Sequence, residues 1–260
     1  MSLDFFKKRD IDAIGIIPAR YDSVRYPGKM LADVGGLPLV IRTYQSAKSS
    51  KYLRRIIIAC DDERIADVCR KYEAEFIMTP KDLPSGTDRV AWAYRHLEEE
   101  SDVVVNIQGD EPLLSGEIID ELFWPFSTSL CQVGTLVKRI ESLDDLLNPS
   151  VVKVVLQNDR TALYFSRSPI PFLRDIPQEK WLDSNQVFWK HIGLYAYRAE
   201  ALQEFVNIQQ TDLESSEKLE QLRLLQSNFK YYCVETKHEL FGVDTPEDLE
   251  RVNNFTTKLK

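Results

Sequence analysis

The sequence predicts an α/β fold built on a doubly wound, mostly parallel sheet, and three observations predict it. Short β-branched runs recur, bounded by turn or helix signals; helix-spaced apolar stripes separate the earlier ones; and these runs are continuously apolar, as strands buried on both faces must be. Right-handed crossovers then place helices over both faces, and ligands bind beyond the carboxyl ends of the strands. A 260-residue chain with 43% hydrophobic and 28% charged residues can bury such a core, as one large domain or two small ones.

Taken in order, "AIGIIPA" opens the sheet, followed by "RIIIAC", "EFIM", "DVVVNIQ" and "QVGTLV". Between them, Ile65, Val68, Cys69 and Tyr72 form one helical stripe, and Val90, Ala93, Tyr94 and Leu97 form another. From about residue 150 the runs "VVKVVL", "TALYFS" and "HIGLYAYR" sit closer together around Pro-rich "SRSPIPFLRDIP", which suggests a subdomain with antiparallel strands. "KLEQLRLL" reads as one helix with Glu217, Glu220 and Gln221 on one face and Leu219, Leu222 and Leu225 available for packing. Thr245 reads as the N-cap of a last helix, with Pro246 at its first position and Asp248 in its first turn.

Composition narrows the function. The net charge of −8 spreads over the whole chain, which argues against a nonspecific nucleic-acid or membrane-surface binder but allows a local anion site. Cys60, Cys69, Cys131 and Cys233 include no C-x-x-C pair and read as reduced core thiols. No leader-like N-terminal stretch and no apolar run near the ~18 residues of a membrane span is present, so a cytoplasmic protein is expected.

Against that acidity, "PARYDSVRYPGK" places Arg20, Arg25 and Lys29 beside Ser23 and Gly28 directly after the first strand. Such a loop either cradles phosphates through backbone N–H groups and charge-assisted bonds or is a solvated basic loop. It is neither G-x-x-x-x-G-K-[ST] nor G-x-G-x-x-G, so neither a P-loop ATPase nor a dinucleotide dehydrogenase is supported. "QGDEP" sets Asp110 and Glu111 at the end of another strand, where a carboxylate can hold Mg²⁺ or cap the helix near "SGEIIDEL". Asp244 likewise follows a strand-like segment and a glycine. "SGTDR" (85 to 89) reads as a helix N-cap or as nucleotide recognition through hydroxyl and backbone bonds. His96 and His238 read as surface residues, whereas His191 alternates with Lys190 and shares a strand face with Gly193 and Tyr195.

Read together, "IIPARYDSVRYPGK", "SGTDR", "VNIQGDEP", "NPSVVKVV", "ALYFSR", "HIGLYAYR", "SEKLEQLR" and "GVDTPEDLERV" resemble, in order, the 3-deoxy-manno-octulosonate cytidylyltransferases over residues 13 to 253. The resemblance implies a single cytidylyltransferase domain over 1–260 with a nucleotide-diphospho-sugar transferase fold, in which about 150–235 forms a smaller mixed-sheet subdomain for sugar binding and dimerisation. It implies a cytoplasmic, homodimeric, Mg²⁺-dependent enzyme that joins CTP and Kdo into CMP-Kdo and pyrophosphate for lipopolysaccharide assembly. Pro18, Ala19, Arg20, Ser23, Lys29, Ser85, Gly86, Thr87 and Arg89 would bind the nucleotide, with Arg20 and Lys29 catalytic on the triphosphate. Asp110 and Asp244 would be catalytic metal ligands, and Gln108, Arg167, His191, Tyr195, Glu220 and Gln221 would meet the sugar. Because "TDLESS" and "ETKHELFGVD" depart from the family pattern, 8-amino-Kdo or another acid sugar stays open as acceptor, and a non-catalytic nucleotide-binding regulator is the rival from another class.

Overall fold

A computed structural model describes residues 11–22, 26–127 and 131–258; Ser23 and Arg25 lie outside the described residues. The first strand, β1 (Ala13–Ala19), is buried along its whole length. Its Pro18 falls past the last pairing with a neighbour at Ile16, so on that side its missing N–H costs no ladder bond. A short hairpin, β2 (Asp33–Val34) and β3 (Leu37–Pro38), leads into α1 (Leu39–Ala47), and the chain returns through β4 (Leu53–Cys60), α2 (Glu63–Lys71) and β5 (Phe76–Met78). These strands step outward in the order β1, β4, β5, all parallel.

The direction then reverses. Helix α3 (Gly86–Arg95) carries the chain back to β6 (Val103–Asn106), which pairs in parallel with the opposite side of β1. This reversal opens a crevice between the carboxyl ends of β1 and β6, the place where such sheets take ligands. After α4 (Gly116–Glu121) come β7 (Val133–Arg139), α5 (Leu143–Leu147), β8 (Lys153–Leu156), β9 (Ala162–Ser166) and β10 (Trp189–Arg198). The ten-residue β10 runs antiparallel between β6 and β7, with a register shift between Ile192 and Tyr195. Its first residues extend past that shift to pair with the antiparallel β8–β9 hairpin. Helices α6 (Ala199–Phe205), α7 (Asp212–Glu217) and α8 (Gln221–Gln226) follow, and β11 (Tyr231–Glu235) closes the edge beside β7 before α9 (Pro246–Lys258).

Two apolar layers hold the sheet. Val40, Ile41 and Tyr44 of α1, Ile65 and Cys69 of α2 and Ile118 of α4 cover one face; Val90 and Ala93 of α3, Leu202 and Phe205 of α6 and Leu222 of α8 cover the other. All four cysteines are buried and unpaired. A third, small cluster joins Val34 and Leu39 to Val243 and Val252, and so docks the chain before α9 against the hairpin after β1. Thr245 Oγ1 accepts from Asp248 N at 3.3 Å, and Asp248 Oδ2 accepts from Thr245 N at 3.0 Å, a reciprocal cap that fixes the turn at Asp244.

The single helix expected through "KLEQLRLL" is divided. Helix α7 stops at Glu217, Lys218 takes the left-handed conformation (φ 54°, ψ 48°), and α8 begins after Glu220. Across the break Leu219 is buried in the second apolar layer, Glu220 lines the cleft at the strand ends and Gln221 lines a pocket beside β10.

Candidate active site

A cleft of about 420 Å³ opens above the carboxyl ends of β1 and β6. Its floor is made by close approach: a Cβ on Gly109 would lie 3.1 Å from the Pro18 carbonyl oxygen and 3.2 Å from the Met30 sulfur, so a side chain here would press the loop after β6 away from β1 by a few tenths of an ångström. On the other side Gly28, at φ 71°, turns the chain so that Lys29 points inward.

Lys29 is the hub. Its Nζ donates to Asp110 Oδ2 at 2.6 Å, to Asp244 Oδ1 at 3.1 Å and to the Val243 carbonyl at 3.1 Å. Burial works to lower its pKa, but the charges and hydrogen bonds of Asp110 and Asp244 together outweigh that and hold the ammonium above its ordinary value. Two carboxylates separated by more than a hundred residues of sequence thus converge on one cation. Behind them, Glu111 Oε2 is buried without a hydrogen-bond partner. Burial first, then the charges of Asp110 and Asp244, push Glu111 up to about 8 against the pull of Lys29, so it is mostly neutral at pH 7.

The wall opposite is the start of α3. Ser85 caps the helix by accepting from Asp88 N at 3.1 Å and donates to Asp88 Oδ2 at 2.7 Å. Glu220 stands against the same helix start, and burial raises its carboxyl above its usual range, with the nearby Thr87 and Ser85 hydroxyls opposing. Arg89 is 2% exposed and is held by Asp61 at 3.1 Å, by Thr79 Oγ1 and by the Pro80 carbonyl. Burial lowers its pKa, with Asp61 opposing. Arg20 lies exposed at the mouth of the same cleft, beside Ala19, the buried last residue of β1.

A second pocket, about 360 Å³, lies across β10, between Ser150–Val152 on one side and Leu219 and Gln221 on the other. His191 and Tyr195 line it with ring centroids 5.4 Å apart, and Tyr195 OH donates to Gln221 Oε1 at 3.3 Å. Thr135 Oγ1 is 2.9 Å from the Leu194 carbonyl and 2.9 Å from His191 Nε2. Since a hydroxyl has one proton, Thr135 donates to the carbonyl and accepts from Nε2–H, which assigns the histidine tautomer and leaves Nδ1 an acceptor. Desolvation pushes His191 down to about 3, so the ring is neutral at pH 7. Gln108 lines the first cleft, and its Nε2 donates to Asn106 Oδ1 at 3.5 Å, a residue that pairs with Tyr195 in the β6–β10 register.

Residues 14–237 match the model of a family described as cytidylyltransferase.

The chain belongs to the cytidylyltransferase family.

It is similar to the 3-deoxy-manno-octulosonate cytidylyltransferase of Trichlorobacter lovleyi, 45% identical over 92% of this chain and 96% of that one. The enzyme of the same name from Geobacter sulfurreducens is 44% identical over 91% of this chain and 96% of its own length. A solved structure of CMP:2-keto-3-deoxy-manno-octonic acid synthetase complexed with CTP shares the fold at a TM-score of 0.88 and 35% identity, spanning 96% of this chain and 100% of that one. As a cytidylyltransferase this protein is a nucleotidyltransferase enzyme.

For the cytidylyltransferase, the donor set suits a hard divalent cation of the magnesium kind. Asp110 and Asp244 already share one positive charge, and magnesium is characteristically held by one or two carboxylates, with waters and phosphates completing its shell. Among the described residues no cluster of three or more His, Cys, Asp or Glu side chains occurs. Pro18, Arg20, Lys29, Ser85, Gly86, Arg89, Gln108, Asp110, Glu220 and Asp244 meet at the first cleft, and His191, Tyr195 and Gln221 at the second pocket. Thr87, 3% exposed, lies beneath the cleft, and Arg167 lines neither pocket. Sequence reasoning passed over Thr135, Asn106, Asp61 and Lys153, which is fully buried and donates to the Asn148 and Val151 carbonyls, because each is a polar residue inside or beside a strand whose only signal is its interruption of an apolar pattern.

Proposed function

We propose that this cytidylyltransferase moves the cytidylyl group of CTP onto the anomeric hydroxyl of 3-deoxy-D-manno-octulosonate (Kdo), forming CMP-Kdo and pyrophosphate for lipopolysaccharide assembly. The observation that carries this reading is the meeting of Lys29, Asp110 and Asp244 at one point in the crevice between β1 and β6, with a neutral histidine pocket directly across β10.

Chemically, the hydroxyl oxygen attacks the α-phosphorus, a new P–O bond forms, the bond to the β-phosphate oxygen breaks, and the hydroxyl proton leaves to solvent. Such a transfer needs alignment and charge neutralisation more than covalent help. Arg20 at the cleft mouth and Lys29 within it supply positive charge to the triphosphate. Asp110 and Asp244 would hold Mg²⁺, which when bound supplies further neutralisation and polarises phosphoryl oxygens. The start of α3 offers the Ser85 and Gly86 backbone, with Thr87 and Arg89 fixing that segment from below, while Pro18 and Ala19 form the opposing edge for the nucleoside. In the second pocket His191, Tyr195 and Gln221 present hydrogen-bonding groups to sugar hydroxyls, with Gln108 and Glu220 adding theirs from the first cleft.

The same reading gives a cytoplasmic homodimer in which the segment of about 150–235 contributes sugar contacts and the subunit interface. Support for an interface there comes from Leu163 and Phe172, large apolar residues 54% and 74% exposed. No helix among the described residues is long and apolar enough to cross a membrane.

Pyrophosphate release with CTP and Mg²⁺, offering Kdo, 8-amino-Kdo and N-acetylneuraminate separately, tests the assignment. Release with Kdo is the expected outcome. Release only with another acid sugar would keep the transfer and change the acceptor, and no release with any of them would favour a nucleotide-binding regulator.

A further inference from the structure

Helices α7 and α8 have six residues each, too few for either to hold its direction alone, and the left-handed Lys218 breaks the path between them. What sets α8 against α7 must therefore cross the break. An ion pair does. Glu214 of α7 and Arg223 of α8 are both buried and meet side by side: Arg223 Nε donates to Glu214 Oε2 at 2.8 Å, and a terminal nitrogen donates to Glu214 Oε1 at 2.6 Å. Two parallel bonds fix an angle as well as a distance.

Both ends of the pair are themselves held. Thr211 caps α7 by accepting from Glu214 N at 3.3 Å. At the other end of α7 the Glu217 carboxylate accepts from Ser166 Oγ at 2.6 Å and from Arg167 N at 2.9 Å, which moors this helix to the end of β9. The Arg223 guanidinium carbon lies 4.2 Å from the ring centre of Phe205 in α6. Closed by the pair, residues 214 to 223 form a ring that contains Glu220, which lines the nucleotide cleft, and Gln221, which accepts from Tyr195 OH at 3.3 Å in the second pocket. Neither Glu214 nor Arg223 lines that cleft or that pocket.

Stability does not account for such a clasp. Taking two charges out of water costs about what their attraction returns, and apolar side chains of similar volume commonly hold the same place as well. What apolar side chains do not supply is a fixed angle between two short helices. We propose that Glu214 and Arg223 are positioning residues that set α8 at that angle and so deliver Glu220 and Gln221 to the acceptor. The proposal rests on the reading of the His191 pocket as the acceptor site.

The test is pyrophosphate release by the full-length enzyme and by Arg223→Met, Arg223→Lys and the apolar pair Glu214→Leu/Arg223→Met, varying Kdo and CTP separately, with thermal unfolding followed alongside. Arg223→Met should lower the unfolding midpoint, because it leaves Glu214 buried without its partner, and the apolar pair should bring the midpoint back close to wild type. KM for Kdo should nevertheless be raised about 10-fold or more in all three, with KM for CTP within about three-fold. Combined with Gln221→Ala, Arg223→Lys should add less than its full factor, since it acts in part through that side chain. The proposal is overturned if KM for Kdo recovers together with the midpoint in the apolar pair, if Arg223→Lys uses Kdo as the wild type does, if KM for CTP rises as far as that for Kdo, or if the Arg223→Lys and Gln221→Ala factors multiply in full. Should Arg223→Met fail to fold, the apolar pair and Arg223→Lys carry the comparison. A wild-type enzyme that uses another acid sugar is read on that sugar; one inactive with every acid sugar would instead remove the acceptor reading, and this proposal with it.

Discussion

The two halves of the site are built by opposite means. On the nucleotide side, charged residues stand at the ends of parallel strands and meet across a narrow crevice, each delivered by a short contiguous stretch such as residues 16–29 or 108–110. On the acceptor side, few charges face the pocket; the work is done by a broken helix, a strand with a register shift, and the buried Lys153 and half-buried Arg167 bonded to carbonyls. The difference teaches that a site for a highly charged ligand can be written in local motifs. A site for a polyhydroxylated sugar needs long-range placement of neutral groups.

The largest expected effect tests the nucleotide side. Asp110→Asn and Asp244→Asn should each lower kcat/KM by about 10³-fold or more at limiting magnesium, because each removes one of the two carboxylates assigned to the metal, while unfolding midpoints stay close to wild type. A variant with normal turnover under those conditions would break the contrast, since charge at the strand ends would then not be what this side contributes.

Next in size is a change that sharpens it. Asp61 is the buried partner of Arg89 and also accepts from Tyr21 N at 2.9 Å, so its charge serves the scaffold. Asp61→Ala should cost about 3 kcal/mol in urea unfolding by leaving Arg89 buried and uncompensated. If stability is unchanged and only the KM for CTP rises, Arg89 and Asp61 belong with the catalytic charges.

The smallest effect concerns the acceptor side. Desolvation holds His191 at about 3 in the folded protein, well below its ordinary 6.5, so between these values the unfolded chain binds more protons and stability falls as pH falls. The wild type should lose up to ~1.4 kcal/mol per pH unit more than His191→Gln as pH drops from about 6.5 towards 4, and should not differ in slope above pH 7. Identical slopes would show that the ring protonates freely in the fold and that this pocket is wetter than the nucleotide cleft.

How much of this was legible follows the same division. The strands of the parallel sheet and the cap at Ser85 could be read directly, because each depends on neighbours within a few residues, whereas the residues alone left Asp110 and the basic loop each with two readings. The alternative that Asp110 caps the following helix is not what the structure shows: α4 is preceded by Ser115, and Asp110 faces Lys29. The break at Lys218 was not legible, since "KLEQLRLL" is a sound helical pattern and nothing local in it marks the left-handed residue that precedes the buried Leu219. Nor was the pairing of Arg167 with three carbonyls, because backbone acceptors have no sequence signature.

By itself the sequence determined the layered α/β architecture and the chemical character of the nucleotide side, because hydrophobic period, glycine placement and strand-end charge are local properties. Tertiary structure alone decided that Lys29 would sit between two distant aspartates, that Glu111 would lie buried and neutral behind them, and that a guanidinium would tie α8 to α7. Those outcomes depend on which groups the fold removes from water together, and desolvation is a property of the packed chain.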